Sequence, residues 1–233
     1  MTDHKSPGGV EATPSVTDES VAGSLRVLTA DCHRNAEMSG FQRRMVSGSL
    51  PIRAYAAWLE QMLLVYRALE SGLREGSLPP AHAALLTDDR RRTPQLENDL
   101  RDLGVVSDSV AGVPATEAFV IRLRDWARAG SPELLGVLYV LEGSTNGSRF
   151  IARVLRNSYG MDSAGLTFLD PYGSRQPECW RTFKRELNAA VGAEELNALV
   201  LAARATFEAV TAIGQELQDR YEPSPDLPPV PAA

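Results

Sequence analysis

Residues Leu138–Phe150, LYVLEGSTNGSRF, decide the fold because the middle of this stretch differs in composition from its ends. The ends are apolar, whereas residues 143–147, GSTNG, combine glycines with small polar side chains, as turns do. A hairpin would need alternating strands on both sides, but the following residues, FIARVLRNSYG, place apolar side chains at helical intervals. We therefore predict a helix interrupted by glycines. Each glycine weakens a helix by about 1 kcal/mol relative to alanine, so a second helix or a flat ligand should need the bare backbone here.

The chain on both sides of this stretch also has the pattern of helices. A first helix, capped by Asp18 or Ser20, is predicted to run to Gly48. Pro51 lies in the first turn of a second helix, whose apolar residues form one stripe. Thr116 is predicted to cap a later helix. Because no strands alternate with these helices, we predict a single all-α domain.

The two ends of the chain differ from this helical domain, which we assign to residues 21–221. Residues 1–20 are rich in Pro, Gly, Ser and Thr, and residues 222–233 contain prolines that a helix would not tolerate. We predict a disordered leader and a disordered tail. The N-terminus lacks the apolar segment of a secretory signal, and no uninterrupted apolar run approaches the roughly 20 residues that span a bilayer. We therefore expect no membrane span.

Composition and charge narrow the function. The chain of 233 residues is 43% hydrophobic and 23% charged, with a formal net charge of -6, which argues against a nucleic-acid coat protein. Cys32 and Cys179 are far apart and lack the spacing of metal ligands. Reduced thiols and a cytoplasmic location are the expectation.

Histidine is scarce, with three in the chain. His4 lies in the leader, and His82 follows two prolines, so we predict a solvated surface position for both. His33 shares one helix face with Thr29 and several apolar residues, and its imidazole should point inward. One interpretation is a core histidine satisfied by a hydrogen bond. The other is a metal or haem ligand whose second nitrogen donates to Glu37, one helical turn later.

Other kinds of site lack the residues they need. A di-iron centre requires paired Glu-x-x-His motifs, which the sequence does not contain. Residues 143–147 lack the third glycine of a dinucleotide fingerprint, and no strand precedes them. Neither cysteine has a histidine at catalytic spacing. The run Asp88–Arg92, DDRRR, is predicted to be a solvated loop.

Two separate segments, LRVLTADCHRNAE from Leu25 and LYVLEGSTNGSRFIARVL from Leu138, together resemble the haem oxygenase family. The YVLEGS phrase is similar to the sequence of members of the bacterial branch that is associated with chromophore supply to bacteriophytochromes. AYAAWLEQMLLVYRALE and FLDPYGSRQPECWRTFKREL extend the resemblance over most of residues 24–220. It implies a single helical domain in which haem lies between a proximal helix and a kinked, glycine-containing distal helix.

The resemblance also implies an activity. Haem b is both cofactor and substrate, and dioxygen with external electrons converts it to biliverdin, carbon monoxide and ferrous iron. The sequence does not name the electron donor, but charge favours an acidic ferredoxin, supplied by its reductase, that docks near Arg26 and Lys184. The resemblance implies a bacteriophytochrome as an acceptor of the product. An alternative on the same fold is a non-catalytic haem-binding or haem-sensing protein. A third possibility, an all-α interaction module without haem, treats His33 as a core residue.

Site residues follow from the resemblance by position. His33 resembles the axial ligand of the haem iron, and Glu37 resembles the carboxylate that orients it. The implied catalytic positions are Gly143, Ser144 and Gly147, where bare backbone would approach the porphyrin and leave room for dioxygen. The implied haem-binding positions, whose cations would meet the propionates, are Arg26, Thr29, Asn146, Ser148, Tyr172, Arg181 and Lys184. Many members have aspartate instead of Ser144, and leucine and glycine are common instead of Asn146 and Ser148. Bacterial relatives with the YVLEGS phrase often share this serine, so it is the departures at Asn146 and Ser148 that bear on efficiency and on the choice of meso carbon.

Overall fold

The structure, a computed structural model, describes residues 20–106 and 110–221. Within these ranges it contains helices and no strands. The α-helices are α1 (Val21–Leu28), α2 (Ala30–Glu37), α3 (Gly40–Ser47), α4 (Ile52–Glu75), α5 (Pro80–Ala83), α6 (Thr93–Asp102), α7 (Pro114–Ala129), α8 (Glu133–Tyr159), α9 (Gln176–Ala190) and α10 (Leu196–Tyr221). The predicted all-α fold with a single helical domain is confirmed. The predicted leader and tail, and His4, lie outside the described residues.

Helix α8 is the central element. It packs most extensively against α10 and also contacts α3, α4, α7 and α9. Residues 134–142 are all buried, whereas several positions from Gly143 onward are partly or fully exposed. Gly136 lies where α8 crosses α10 closely, because a Cβ at this position would be 2.9 Å from the Cα of Leu199. The first half of α8 therefore builds the core, and the second half lines a cavity.

The predicted first helix is instead divided into α1, α2 and α3. Thr29, between α1 and α2, has φ -117° and ψ 7°, and its hydroxyl donates to the carbonyl of Leu25 at 2.7 Å. Such a bond from a threonine to the preceding turn bends a helix. Ser39 begins α3 by accepting a hydrogen bond from the Gln42 amide at 3.3 Å. The predicted ends are confirmed, since Ser20 caps α1 and Gly48 ends α3 with φ 71°.

Two further predictions about single residues are wrong. Thr116 does not cap α7, because Pro114 takes the first turn and Thr116 is fully buried inside the helix. His82 is not solvated. Its side chain is buried, with Nε2 3.2 Å from the carbonyl oxygen of Ala190 and 3.5 Å from a carboxylate oxygen of Glu195.

One helical stretch in the described part of the chain, Ala193–Tyr221, is long and apolar enough by length and composition to cross a membrane. Its most apolar window has a mean hydropathy of 1.4, and 33% of that window is buried in the protein. Helix α10, within this stretch, contributes Leu199, Ala202, Ala203, Ile213 and Leu217 to the core. A core helix has this composition too, so the stretch is weak support for a membrane span.

Candidate functional site

A cavity of about 840 Å³ lies among α2, α3, α4, α8 and α10. This volume is within the range of small-molecule pockets, about 300–1,000 Å³. Aromatic side chains form much of its wall, and the rings of Trp58 and Tyr66 contact Phe168 at centroid distances of 5.7 and 5.5 Å. Burial raises the pKa of Tyr66 well above its ordinary value, so its hydroxyl stays protonated. The cavity therefore offers a flat ligand a largely apolar wall with several aromatic rings, and Glu37 and Arg43 are the charged residues that line it.

His33 faces this cavity from α2. Its ring meets Phe207 of α10 edge to face, at 5.6 Å between centroids. Nδ1 lies 3.5 Å from Oε2 of Glu37, which is longer than an ordinary N–H···O bond of about 2.7–3.2 Å but close enough for the carboxylate to attract a ring proton. The His33 side chain is 57% exposed. The interpretation of His33 as a core histidine therefore does not fit its position.

Helix α2 has no buried residue, so its place depends on contacts with α10. Arg204 of α10 donates to both carboxylate oxygens of Asp31, at 3.0 and 2.8 Å. The Cys32 amide, which donates to Asp31, and the nearby Arg204 lower the pKa of Asp31 and keep it ionised. This ion pair and the Phe207 contact hold α2 with His33 on the cavity wall.

The turn-like residues of the opening stretch form continuous helix, so the predicted interruption is wrong. Three of their side chains bond back to the carbonyls of their own helix. Ser144 donates to Leu141 at 2.7 Å, Thr145 to Glu142 at 2.6 Å, and Asn146 to Gly143 at 2.8 Å. These bonds use the hydrogen-bonding capacity that would otherwise favour a turn.

The glycines of this segment have different surroundings. A Cβ on Gly143 would lie 3.2 Å from the Trp180 ring, so this position is tightly packed against α9. A Cβ on Gly147 would meet nothing within 4 Å, although Gly147 lines the cavity. Packing therefore accounts for the first glycine. No packing contact in the described residues requires the second glycine, which borders the cavity at a point where a Cβ would meet open space.

Asn146 and Ser148 line the same cavity, and both are also bonded to neighbouring parts of the protein. Ser148 donates to the carbonyl of Leu169 at 2.6 Å, which ties α8 to the loop before α9. The amide nitrogen of Gln176 lies 2.7 Å from the hydroxyl oxygen of Thr145 and 3.4 Å from the side-chain oxygen of Asn146. Polar contacts with Leu169 and Gln176 thus fix the position of this segment of α8.

A buried ion pair supports α8 one residue before Gly143. Glu142 accepts from Arg92 at 3.2 Å and from the hydroxyl of Tyr172 at 2.6 Å. The guanidinium of Arg92 also stacks on the Tyr172 ring at 4.6 Å. Burial raises the pKa of Glu142, and Arg92 and Tyr172 offset part of this rise. The prediction of a solvated loop at Asp88–Arg92 is therefore wrong for Arg92, and also for Arg90, which is buried and pairs with Glu186 at 2.6 Å.

The predicted cations come together in a second cavity of about 570 Å³. Arg26, Arg181 and Lys184 line it together with Arg185, Tyr139 and Trp180. The Lys184 ammonium lies 5.6 Å from the centre of the Trp180 ring, and the same ring meets Tyr139 at 5.5 Å. Since Trp180 also contacts Gly143, it stands between this cationic cavity and α8.

Two of the predicted haem-binding residues line neither cavity. Thr29 is buried, and its hydroxyl donates a hydrogen bond to the Leu25 carbonyl. Tyr172 is buried against Arg92 and Glu142. The structure thus brings His33, Glu37, Gly143, Ser144, Asn146, Gly147 and Ser148 to the first cavity, gathers the cations at the second, and leaves Thr29 and Tyr172 apart from both.

A sequence model of the family described as Heme oxygenase matches residues 19–216. The match covers the whole helical domain except its last few residues, including both walls of the larger cavity. The chain belongs to the haem oxygenase family.

Named haem oxygenases are among its relatives. The Heme oxygenase of Xanthomonas campestris pv. campestris is 35% identical over 98 residues, 42% of this chain, and the chain spans about half (51%) of that relative. The Heme oxygenase of Rhodella violacea is 20% identical over 214 residues, which are 88% of this chain and 90% of the relative. Heme oxygenase-1 from Synechocystis sp. PCC6803, solved in complex with heme, shares the fold with a TM-score of 0.78 at 20% identity, covering 86% of this chain and 93% of that one. The predicted enzyme class is that of these relatives.

The haem oxygenase domain also contains site residues that the sequence did not reveal. Arg43 of α3 lines the larger cavity, but an exposed arginine on a polar helix has no distinguishing signal. Gln176 is buried behind Asn146, and Arg92 is buried beside Glu142. These contacts join residues that are 30 and 50 positions apart in the chain, which no local pattern records.

Proposed function

We propose that this haem oxygenase family member binds haem in the larger cavity and cleaves it oxidatively to biliverdin, carbon monoxide and ferrous iron. Dioxygen and electrons from an external donor are the other reactants. The observation that carries the proposal is that His33 and Gly147 line one cavity from different helices. The proposed iron ligand and a glycine of α8 would thus both face a porphyrin bound in this cavity.

The residues present fit haem. The wall is largely aromatic and apolar, as a porphyrin requires, and the cavity volume is that of a large small-molecule pocket. In residues 20–106 and 110–221, no group of three or more His, Cys, Asp or Glu could hold a bare metal ion. One imidazole would be enough for haem, because the porphyrin itself supplies four nitrogen ligands to the iron.

Each wall of the cavity has a separate task. His33 would bind the iron, and Glu37 would hold the ring orientation through Nδ1. Gly147 would leave space open beside the ligand. The hydroxyl of Ser144 donates its hydrogen bond to the Leu141 carbonyl, so it is not directed into the cavity. Bound haem supplies the iron at which dioxygen is activated and the porphyrin that is oxidised, while the protein supplies the axial ligand, the orientation and the exclusion of water.

The cationic residues fit the acidic groups of haem and of a redox partner. The propionates need cations and hydrogen-bond donors; Arg26, Arg181 and Lys184 remain the residues proposed for this role, although they line the second cavity, and Arg43 is the arginine that lines the larger one. The same charges would attract an acidic electron donor such as ferredoxin, supplied by its reductase. Both cysteines are free, as expected for a cytoplasmic enzyme. A bacteriophytochrome remains the acceptor that we propose for biliverdin.

A second function, haem binding without turnover, is favoured by the polar side chains of Asn146 and Ser148. Both line the cavity on the segment where a distal ligand would lie. Polar groups at this position would stabilise a bound ligand and slow its reaction.

Haem titration tests the proposal. Hemin added to the wild-type protein should give a sharp Soret band. Reductant in air, with catalase present, should then replace it with the broad red band of biliverdin. His33→Ala should lose the sharp band, and added imidazole should restore it. Because His33 is exposed, the fold should survive this change. Asn35→Ala, an exposed α2 position outside the cavity, is the matched control.

The outcomes separate the two functions. A Soret band in His33→Ala with unchanged position and affinity would refute the axial ligand assignment. A wild-type Soret band that persists after reduction, including with ferredoxin and its reductase, would favour the non-catalytic haem protein.

A further inference from the structure

The side-chain amide of Asn146 makes two hydrogen-bond contacts, and one of its N–H groups has no protein partner among the described residues. Its nitrogen donates to the Gly143 carbonyl at 2.8 Å, and its oxygen lies 3.4 Å from the amide nitrogen of Gln176. A primary amide carries two N–H groups. One is used by Gly143, so the second is available on a residue that lines the larger cavity.

The contacts also determine which way the amide points. In the reversed orientation, the Asn146 oxygen would face the Gly143 carbonyl oxygen, and its nitrogen would face the nitrogen of Gln176. Both contacts would be repulsive, so the observed orientation is the one that the neighbours favour.

Gln176 is suited to hold this orientation. It is the first residue of α9 and only 2% exposed, and its nitrogen also donates to the Thr145 hydroxyl at 2.7 Å. Its own side-chain oxygen is buried without a protein hydrogen bond. No competing donor in the described residues therefore turns the Gln176 amide away from α8.

We propose that the second N–H of Asn146 donates a hydrogen bond to a diatomic ligand of the haem, and that Gln176 is the positioning residue for this amide. The inference rests on the proposed function, because it requires haem in the larger cavity. Under this proposal, α8 contributes a hydrogen-bond donor to the haem ligand through Asn146, in addition to the open space beside Gly147.

Carbon monoxide is the probe, because it binds ferrous haem without being turned over. A donor near its oxygen lowers the C–O stretching frequency by drawing electron density from the iron into the ligand. Asn146→Leu should raise this frequency in the infrared spectrum and speed carbon monoxide dissociation about 2- to 10-fold, the effect of losing one hydrogen bond. Gln176→Leu should shift both quantities in the same direction.

The double variant distinguishes positioning from general damage. If Gln176 acts through Asn146, Gln176→Leu should have no further effect on the stretching frequency in the Asn146→Leu background. Thr211→Val is the matched control, since Thr211 also lines the cavity but its hydroxyl already donates to the Phe207 carbonyl at 2.8 Å. This control should leave the frequency unchanged.

Each result supports or overturns the inference. An unchanged frequency and dissociation rate in haem-loaded Asn146→Leu would overturn the donor role. An equal shift by Gln176→Leu in both backgrounds would overturn the positioning role. If the wild-type protein bound no haem, both the inference and the proposed function would fall. If it bound haem and carbon monoxide but produced no biliverdin, the proposed turnover alone would fall.

Discussion

Gly147→Ala should stabilise the haem-free fold while weakening haem binding. The position is inside α8, and a Cβ there meets nothing within 4 Å. Alanine is about 1 kcal/mol better than glycine inside a helix. For a domain of this size, about 1 kcal/mol corresponds to a rise of roughly 2–4 °C in Tm. The added methyl group would project into space at the cavity, so the affinity for hemin should fall.

Gly136→Ala is the matched comparison on the same helix. Its Cβ would collide with the main chain of Leu199, with 2.9 Å to the Cα, and a backbone cannot rotate away as a side chain can. Overpacking of this kind typically costs about 1–3 kcal/mol, so Tm should fall.

Thermal unfolding by circular dichroism, together with hemin titration of both variants, measures these effects. A Gly147→Ala protein with a lower Tm than the wild type would refute the reasoning that the cavity, and not the fold, requires this glycine. Unchanged hemin affinity in this variant would refute the assignment of its open space to the ligand.

Two further predictions concern buried carboxylates. Glu142→Leu leaves Arg92 buried without its partner, so the free energy of unfolding, measured with urea, should fall by about 3–5 kcal/mol. Adding Arg92→Met should recover most of this loss. If the double variant showed no recovery, the pairing would be contradicted. Asp99 accepts from the amides of Thr167 and Phe168 at 3.0 and 2.7 Å, so Asp99→Asn should cost about 1–3 kcal/mol. Because burial raises the pKa of Asp99, its contribution is complete below the ordinary aspartate pKa and decreases as pH rises through the folded pKa. The deficit of Asp99→Asn in unfolding free energy should therefore narrow as the pH rises above the ordinary aspartate pKa of about 4, and a widening deficit would contradict this sign.

The sequence predicted those parts of the fold that depend on local chemistry. Ser20, Gly48 and Pro51 mark helix ends because their capping or backbone preferences act within one turn. The break at Thr29 was missed because the same residue is compatible with a straight helix unless its hydroxyl bonds to Leu25.

The site was predictable to a similar extent. His33 and residues 143–148 were identified from their motifs, and the structure brings them to one cavity. The support behind them was not predictable. The run Asp88–Arg92 has the composition of a solvated loop, and the burial of Arg92 depends on Glu142 and Tyr172, which come much later in the chain. Long-range pairing of this kind leaves no periodic signal.

The buried pair of Arg92 and Glu142, next to residues 143–148, also restricts how this protein can evolve. Arg92 and Glu142 are 50 positions apart, yet a mutation in either one alone leaves a charge that water cannot reach. A loss of about 3–5 kcal/mol is a large share of the roughly 5–15 kcal/mol that stabilises a typical domain. A lineage is therefore expected to keep both residues or to replace both through a less stable intermediate. Asp88–Arg92 has the composition of a solvated loop that tolerates substitution, yet Arg92 within it is a strongly constrained position.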